Sequence, residues 1–186
     1  GDTRWRKLAL FRRDLGGMTG QVALFLDLDL VVVDDLAPFF DLPGDYFIIR
    51  DDDLFRAKPL RKVNAERDTF LHSVGNSSVF RYVVGDHAYI LDAYLADPKA
   101  ATQGYEISQQ FQSAQLAKHG HLNYWPKGWV VSFKNDCVPR NFLSYFSDPK
   151  LPAGAKIVAF AGNPKMEDVF AGRGGKWYRR IGNIDW

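Results

Sequence analysis

The sequence has little cysteine and no long apolar run, and both absences exclude classes of protein. Cys137 is the one cysteine among 186 residues, so an intramolecular disulfide and a cysteine-based metal site are excluded. The chain has no apolar run near 18 residues, and it has no signal-peptide pattern of a charged start followed by an apolar core. We therefore expect a cytoplasmic protein, with peripheral membrane association through its basic ends as the alternative.

A large excess of one charge is also missing. The net charge is +2 and the pI is about 8.6, a balance that by itself indicates no nucleic-acid partner. Basic residues nevertheless concentrate near the two ends and form either solvated faces or a contact for a phosphate-bearing ligand. They are Arg4, Arg6, Lys7, Arg12, Arg13, Arg173, Lys176, Arg179 and Arg180.

Short apolar runs and periodic segments predict one α/β or α+β domain, because 46% hydrophobic residues are enough for a sizeable core. The predicted strands are Val22–Leu26, Tyr46–Arg50, Ser78–Tyr82, Trp129–Phe133 and Ile157–Phe160. The predicted helices run from Gly85-Asp86 to about Ala96 and from about Tyr105 to Lys118, with Gly120 beyond the second. The polar, aperiodic residues 50–74 predict a long excursion.

Two carboxylates interrupt the apolar run ALFLDLDLVVVDD at residues 23–35. Burying one carboxylate costs several kcal/mol unless it is paired or bound to a cation. Asp27 and Asp29 project to the same face of an extended chain, where their charges repel. The run therefore predicts a metal, a shared proton, or a position at the strand's end facing a cleft. Two oxygen ligands suit Mg²⁺ or Mn²⁺, and a pair facing water is the alternative.

In this setting the sequence resembles nucleotide-sugar glycosyltransferases of the GT-A fold, in particular the glycogenin-like and bacterial lipopolysaccharide-type enzymes. ALFLDLDLVVVDDLAPFF resembles the family's apolar strand that ends in a D-x-D motif. Further segments match in the family's order, so the resemblance spans most of the chain. They are WRKLALF at residues 5–11, GNSSVFRY at 75–82, EISQQF at 106–111 and KIVAFAGNPK at 156–165.

The resemblance implies a GT-A-like (Rossmann-like) α/β fold over residues 1–186, a mixed sheet flanked by helices with the D-x-D strand at 22–33. It implies transfer of a sugar from a nucleoside-diphosphate donor, most simply a UDP-sugar, to a hydroxyl of a glycan, lipid or protein. Mn²⁺ or Mg²⁺ on Asp27 and Asp29 would neutralise the diphosphate leaving group. The residues implied in donor or phosphate binding are Lys7, Asn76, Ser77, Gly162 and Lys165, and the implied general base or acceptor-site residue is Glu106.

Simpler interpretations stay open for several of these residues. Lys165 also fits an exposed loop lysine, GNSS also fits a turn, and Glu106 is more simply a solvated residue in the first turn of a helix. Trp125 and Trp129 would form a sugar-stacking wall or belong to the core. The histidines at 119 and 121, near a helix end, are expected at the surface rather than as ligands.

The sequence departs from the family's pattern in two places. The late motif commonly carries a histidine that completes the metal site, whereas VAFAGNPK has Ala159 and Ala161 there. The third protein ligand is therefore missing, replaced from elsewhere, or supplied by water. Only 26 residues precede Asp27, and a βαβ unit takes about 30 or more. We therefore expect the C-terminal portion of a longer enzyme, or an oligomeric partner that covers the sheet edge.

Two other functions fit the D-x-D run. Phosphatases of the haloacid dehalogenase type use the first aspartate as nucleophile, and GDHAYILD at residues 85–92 is the nearest match to their second acidic segment. A degenerate transferase that binds carbohydrate or a partner protein without catalysis is the third interpretation. Dependence on a divalent metal separates the non-catalytic module from the glycosyltransferase and the phosphatase.

Overall fold

The computed structural model describes residues 3–50, 75–138, 149–162 and 165–171, and these form two compact units. The first unit holds the described residues 3–25, 39–50 and 75–124. The second holds 26–38, 125–138, 149–162 and 165–171. The predicted excursion after residue 50 and the basic C-terminal residues lie outside the described residues, and one GT-A-like domain over 1–186 stays a prediction. No helix in the described part of the chain is long and apolar enough to cross a membrane.

The first unit contains a three-stranded sheet in the order β1 (Val22–Leu26), β4 (Gly75–Val83), β3 (Tyr46–Arg50). Strands β3 and β4 are antiparallel, but the pairing shifts after Ile48. Ile48 lies opposite Phe80 while the next residue lies opposite Asn76, so residues 77–79 bulge out of this pairing.

Aromatic rings fill the core of the first unit. The N-terminal 3₁₀ helix (Thr3–Phe11) buries Trp5, Leu8 and Phe11 against the sheet and the helices that follow it. Phe80 stacks on Phe11 at 5.9 Å and on Tyr46 at 5.8 Å between ring centroids. These ring contacts belong to one face of β3 and β4, two strands whose apolar residues are almost all buried.

Three helices follow β4: α2 (Ala88–Ala96), α3 (Pro98–Gly104) and α4 (Ser108–Lys118). The first begins after His87 rather than at Gly85-Asp86, and the last begins at Ser108 rather than near Tyr105. Asp97 ends α2 as predicted, but its side chain also accepts a hydrogen bond of 2.9 Å from the amide of Ala100 and caps α3.

Gly120 ends α4 in a Schellman motif, as the sequence indicated. The φ of Gly120 is +76°, and its amide donates to the carbonyl of Ala117 at 3.2 Å. The amide of His121 donates to the carbonyl of Leu116 at 2.9 Å. The chain then runs beside β3, where Ile48 and Tyr124 form a parallel bridge. The motif therefore fixes His121 at the end of the helix.

The second unit has a sheet in the order β2 (Leu30–Val32), β6 (Ile157–Ala159), β5 (Val130–Ser132). β6 is antiparallel to β2 and parallel to β5. Strand β6 is followed by Phe160, whose ring stacks on Phe133 with centroids 4.8 Å apart. Helix α5 (Met166–Phe170) comes next and buries Val169. The five strands predicted from the sequence are therefore all present.

Replacement of Gly85 by alanine should destabilise the first unit strongly. Gly85 has a φ of +96°, and a Cβ there would lie 2.8 Å from the carbonyl oxygen of Arg13, a backbone atom that cannot swing away. A left-handed alanine and the overlap together should lower the free energy of unfolding by about 2 to 4 kcal/mol. Urea denaturation followed by circular dichroism measures this change.

Gly104→Ala is the matched control for this substitution. Gly104 ends α3, its φ is not in the left-handed region, and no atom lies within 4 Å of the added methyl group. Alanine there should leave the free energy of unfolding unchanged or raise it by up to about 1 kcal/mol. Similar losses in the two variants would contradict the role given to Gly85.

Candidate functional site

The D-x-D segment lies in a break between two strands. β1 ends at Leu26 and β2 begins at Leu30, so Asp27, Leu28 and Asp29 form the connection between them. Leu28 is 97% exposed and the two aspartates are half-buried. The strand that the sequence predicted at 22–33 is therefore two strands, and both carboxylates sit where water or a ligand can solvate them.

The backbone of Asp29 is hydrogen-bonded to the start of the late loop, which follows β6 and begins at Phe160. Its carbonyl accepts a hydrogen bond of 2.9 Å from the amide of Phe160, directly after β6. Gly162, two residues on, is exposed with a φ of +82°, and the ammonium of Lys134 would lie 3.5 Å from a Cβ built there. The second unit thus brings one motif aspartate, the late loop and a lysine into one neighbourhood, and the sequence had not singled out that lysine.

Lys165 is exposed at the start of α5. Its backbone amide donates to a carboxylate oxygen of Asp168 at 3.2 Å in the cap of that helix. The residue is accessible, which agrees with both interpretations of it. The intervening Asn163 and Pro164 lie outside the described residues.

Lys7 and Ser77, two residues implied in donor binding, meet in the first unit. The Lys7 ammonium donates to the Ser77 carbonyl at 3.0 Å and lies 3.4 Å from its hydroxyl. It also sits 5.0 Å from the centre of the Phe25 ring, a cation–π contact. The bulge of β4 frees the Ser77 carbonyl from its pairing with β3, which allows it to hold the lysine.

Asn76 lies in strand β4, so the interpretation of GNSS as a turn is wrong. The side chain is 4% exposed, and its carbonyl oxygen accepts a hydrogen bond of 2.9 Å from the amide of Ser78. This local bond supports the start of the bulge, which is the reason polar turn-type residues occur inside a strand here.

Glu106 lies ahead of α4 and not in its first turn. Its amide donates to the side-chain oxygen of Gln110 at 2.9 Å, and its carbonyl accepts from the guanidinium of Arg4 at 3.2 Å. The residue is exposed while its backbone is held on both sides. The structure therefore presents this carboxylate to solvent from the first unit.

The remaining aromatic and histidine candidates divide between core and surface. Trp125 is 4% exposed and stacks on Trp129 at 6.4 Å, so it belongs to the core of the second unit. His119 is exposed at the end of α4, as expected, with its ring 4.0 Å from that of Tyr89. His121 is half-buried, and its ring contacts a carboxylate.

A cluster that sequence reasoning missed surrounds His121. One oxygen of Asp45 lies 2.7 Å from Nδ1 of His121 and 3.8 Å from Nε2 of His87. Ligand atoms from all three residues lie within 4.8 Å of one another. Burial lowers the pKa of His87, although the nearby Asp45 opposes that effect. The cluster lies entirely in the first unit.

Comparison with known proteins identifies the fold. No protein-family model and no curated protein matches the chain. A crystal structure of the galactosyltransferase LgtC in complex with donor and acceptor sugar analogs matches 98% of this chain and 68% of its own, at 14% identity and a TM-score of 0.57. An active-site mutant of LgtC matches 88% of this chain and 60% of its own, at 12% identity and a TM-score of 0.53. The chain thus spans 60 to 68% of these proteins, and the predicted GT-A-like α/β fold is confirmed.

Proposed function

We propose that this chain is the catalytic part of a glycosyltransferase that moves a sugar from a nucleoside-diphosphate donor to a hydroxyl acceptor. One observation carries the proposal: the D-x-D segment forms an open turn between β1 and β2 in a fold similar to that of a galactosyltransferase. A UDP-sugar is the proposed donor, and a glycan, lipid or protein hydroxyl is the proposed acceptor.

Asp27 and Asp29 are the proposed ligands of Mn²⁺ or Mg²⁺. Both are half-buried in one short turn and offer oxygen atoms only, a donor set that suits a hard divalent cation and leaves positions for water and phosphate oxygens. When bound, the cation neutralises negative charge on the departing diphosphate. Because alanines occupy positions 159 and 161, water would take the place of the histidine common in the family.

The late loop of the second unit supports phosphate binding. Phe160 ties this loop to the backbone of Asp29, and Lys134 brings an ammonium close to Gly162. We assign Lys134 and Lys165 to the diphosphate, where each acts as a point charge. The glycine lets the backbone approach the ligand closely, since it has a positive φ and no side chain.

The first unit supplies the residues proposed for the donor sugar and the acceptor. Ser77 acts through Lys7, because it holds the ammonium with its carbonyl, and Asn76 supports the bulge that makes this possible. The exposed Glu106 is the proposed general base or acceptor-site residue.

Calorimetric titration of UDP tests the metal assignment. We expect binding to require both Mn²⁺ and Asp29, so heat should be released by the unmodified chain with Mn²⁺ but not by Asp29→Ala or without metal. Asp41→Ala is the control, since it removes one exposed carboxylate from the end of helix α1 (Pro38–Asp41). UDP binding that ignores Mn²⁺ and Asp29 would contradict the assignment, and absence of binding throughout would contradict a complete donor site in this chain.

The phosphatase interpretation finds less support in the structure. The phosphatase interpretation needs free acidic groups in residues 85–92, but Asp92 forms two hydrogen bonds with Arg13, at 3.0 and 2.5 Å, and the segment is the start of α2. Phosphate release from a phosphomonoester, lost in Asp27→Asn, would favour that function. Carbohydrate binding without metal would favour the non-catalytic module.

A further inference from the structure

We propose that Asp45, His87 and His121 form a second metal site, which binds Zn²⁺ or a similar transition-metal ion and is chemically distinct from the D-x-D pair. The proposal concerns the first unit alone and does not depend on the proposed glycosyl transfer. It rests on the convergence of three ligand atoms, on a buried nitrogen without a partner, and on the way the fold fixes each ligand.

The three ligands come from the ends of three different elements. Asp45 immediately precedes β3, His87 is the N-cap residue of α2, and His121 is the last residue of the Schellman motif that ends α4. The His87 carbonyl accepts from the amide of Ile90, the His121 amide donates to the carbonyl of Leu116, and Asp45 directly precedes the paired Tyr46. The site is therefore held by rigid parts of the unit rather than by one loop.

The three ligand atoms lie close enough together to share one metal ion. Zinc ligands at about 2.0 to 2.1 Å in a tetrahedron lie about 3.3 Å from one another. The observed separations from the Asp45 oxygen are 2.7 Å to His121 and 3.8 Å to His87, and no pair among the three exceeds 4.8 Å. A shift of well under 1 Å in each of these two separations would bring both to the tetrahedral value.

His87 provides the second observation that points to a ligand. It is 1% exposed, and its Nε2 has no hydrogen-bond partner although the atom itself is buried. A buried polar atom left unpaired costs about 1 to 3 kcal/mol, so such atoms in folded proteins call for an explanation such as a bound ion. The atom points towards Asp45, where a metal would satisfy it.

The other nitrogen of His87 is oriented as metal-binding histidines usually are. Its Nδ1 lies 3.3 Å from the hydroxyl of Tyr89. The contact fixes the direction of the ring, and in the tautomer whose Nδ1 donates to this hydroxyl, Nε2 carries the lone pair that binds the metal. The Tyr46 ring packs edge-on against the same imidazole, with centroids 5.1 Å apart, and restricts it further.

The chemistry of the ligands sets the preference for the ion. Two imidazole nitrogens and one carboxylate oxygen favour zinc and its neighbours in the transition series over Mg²⁺. The side chains of Asp45 and His121 are 35% and 40% exposed, which leaves a route for the ion and a fourth position for water. Binding would join three elements of the folded unit and so raise its stability.

Metal loading of the full chain tests the proposal without any nucleotide. After treatment with chelator and equilibrium dialysis against Zn²⁺, we expect one equivalent of zinc to remain with the protein and its melting temperature to rise. Loading with Co²⁺ should give the visible absorption of a tetrahedral site with nitrogen ligands. His121→Ala and the isosteric Asp45→Asn should each weaken Zn²⁺ binding by at least about 100-fold, since even residues that only support ligands contribute 10- to 100-fold.

Two control variants make the outcome decisive. His119→Ala removes a nearby exposed histidine outside the cluster, and the double variant Asp27→Ala/Asp29→Ala removes the D-x-D carboxylates. Both should retain one equivalent of zinc and the cobalt spectrum. Absence of zinc from the unmodified chain, unchanged affinity in both His121→Ala and Asp45→Asn, or loss of zinc in the D-x-D variant would each overturn the proposal.

Discussion

Conversion of Asp27 and Asp29 to asparagine is expected to reduce metal-dependent cleavage of a UDP-sugar by at least about 100-fold. Asparagine keeps the size of each side chain but removes both negative charges, so the turn loses its attraction for a divalent cation. Single electrostatic groups that stabilise a developing charge contribute about 10²- to 10³-fold in other enzymes, and the diphosphate carries more charge than most leaving groups. Initial rates of UDP release, measured over a range of Mn²⁺ concentrations, give the change.

A charge-matched double variant, Asp41→Asn/Glu167→Gln, separates this effect from a change in net charge. Both control residues are exposed, and neither lies in the D-x-D turn. The control should retain the rate of the unmodified chain, and both proteins should melt at similar temperatures because no buried group is altered. Equal losses in the two variants would assign the effect to net charge, and an unchanged rate in Asp27→Asn/Asp29→Asn would remove both residues from the mechanism.

The sequence predicted the strands well because the burial of a short strand is visible locally. Val22–Leu26 and Tyr46–Arg50 agree residue for residue with β1 and β3, since each is an apolar or β-branched run next to polar or turn-forming residues. The late strand ends one residue earlier than predicted, at Ala159, although the amide of Phe160 still donates to the Asp29 carbonyl in the register of the β2–β6 pairing.

Helix starts and the short helix α3 were harder to predict. PKAATQG has no apolar periodicity, and its helix depends on the Asp97 cap and on proline in the first turn. The prediction that Asp97-Pro98 ends α2 is confirmed, and the same aspartate also caps α3. Glu106 was placed inside α4 because the apolar spacing continues into Tyr105, whereas the chain is still extended at Ile107.

The two candidate metal sites differ in how visible they are in the sequence. Asp27 and Asp29 are two residues apart in an apolar run, so a local pattern points to them. Asp45, His87 and His121 are far apart in the chain, and only strand pairing and helix packing bring them together. His121 was expected at the surface, and its side chain is 40% exposed, but nothing near it in the sequence indicates the carboxylate 2.7 Å away.

Replacement of Arg81 by methionine is expected to lower the free energy of unfolding by about 3 to 5 kcal/mol. Arg81 is 2% exposed in β4, and its guanidinium packs over the Phe47 ring at 4.8 Å. It donates hydrogen bonds to backbone carbonyls of the segment before β3, those of Phe39, Phe40, Leu42 and Gly44. Methionine fills similar volume but leaves these carbonyls without their donor, which is costly where water is excluded.

The position of that segment gives the same substitution a second, separable effect. Its last carbonyl, that of Gly44, directly precedes Asp45, so the guanidinium fixes the backbone that carries one proposed zinc ligand. Burial lowers the pKa of the Arg81 guanidinium, and the nearby Asp45 opposes the shift. An arginine side chain stays charged at neutral pH. Arg81→Met should therefore weaken Zn²⁺ binding as well as lower the free energy of unfolding.

Arg13→Met is the control, since it removes only an exposed ion pair with Asp92. Denaturant and zinc titrations of this variant should show an unchanged free energy of unfolding and an unchanged zinc affinity. Full stability in Arg81→Met would show that the carbonyls find other donors, and normal zinc affinity in a destabilised protein would show that Asp45 is positioned without them.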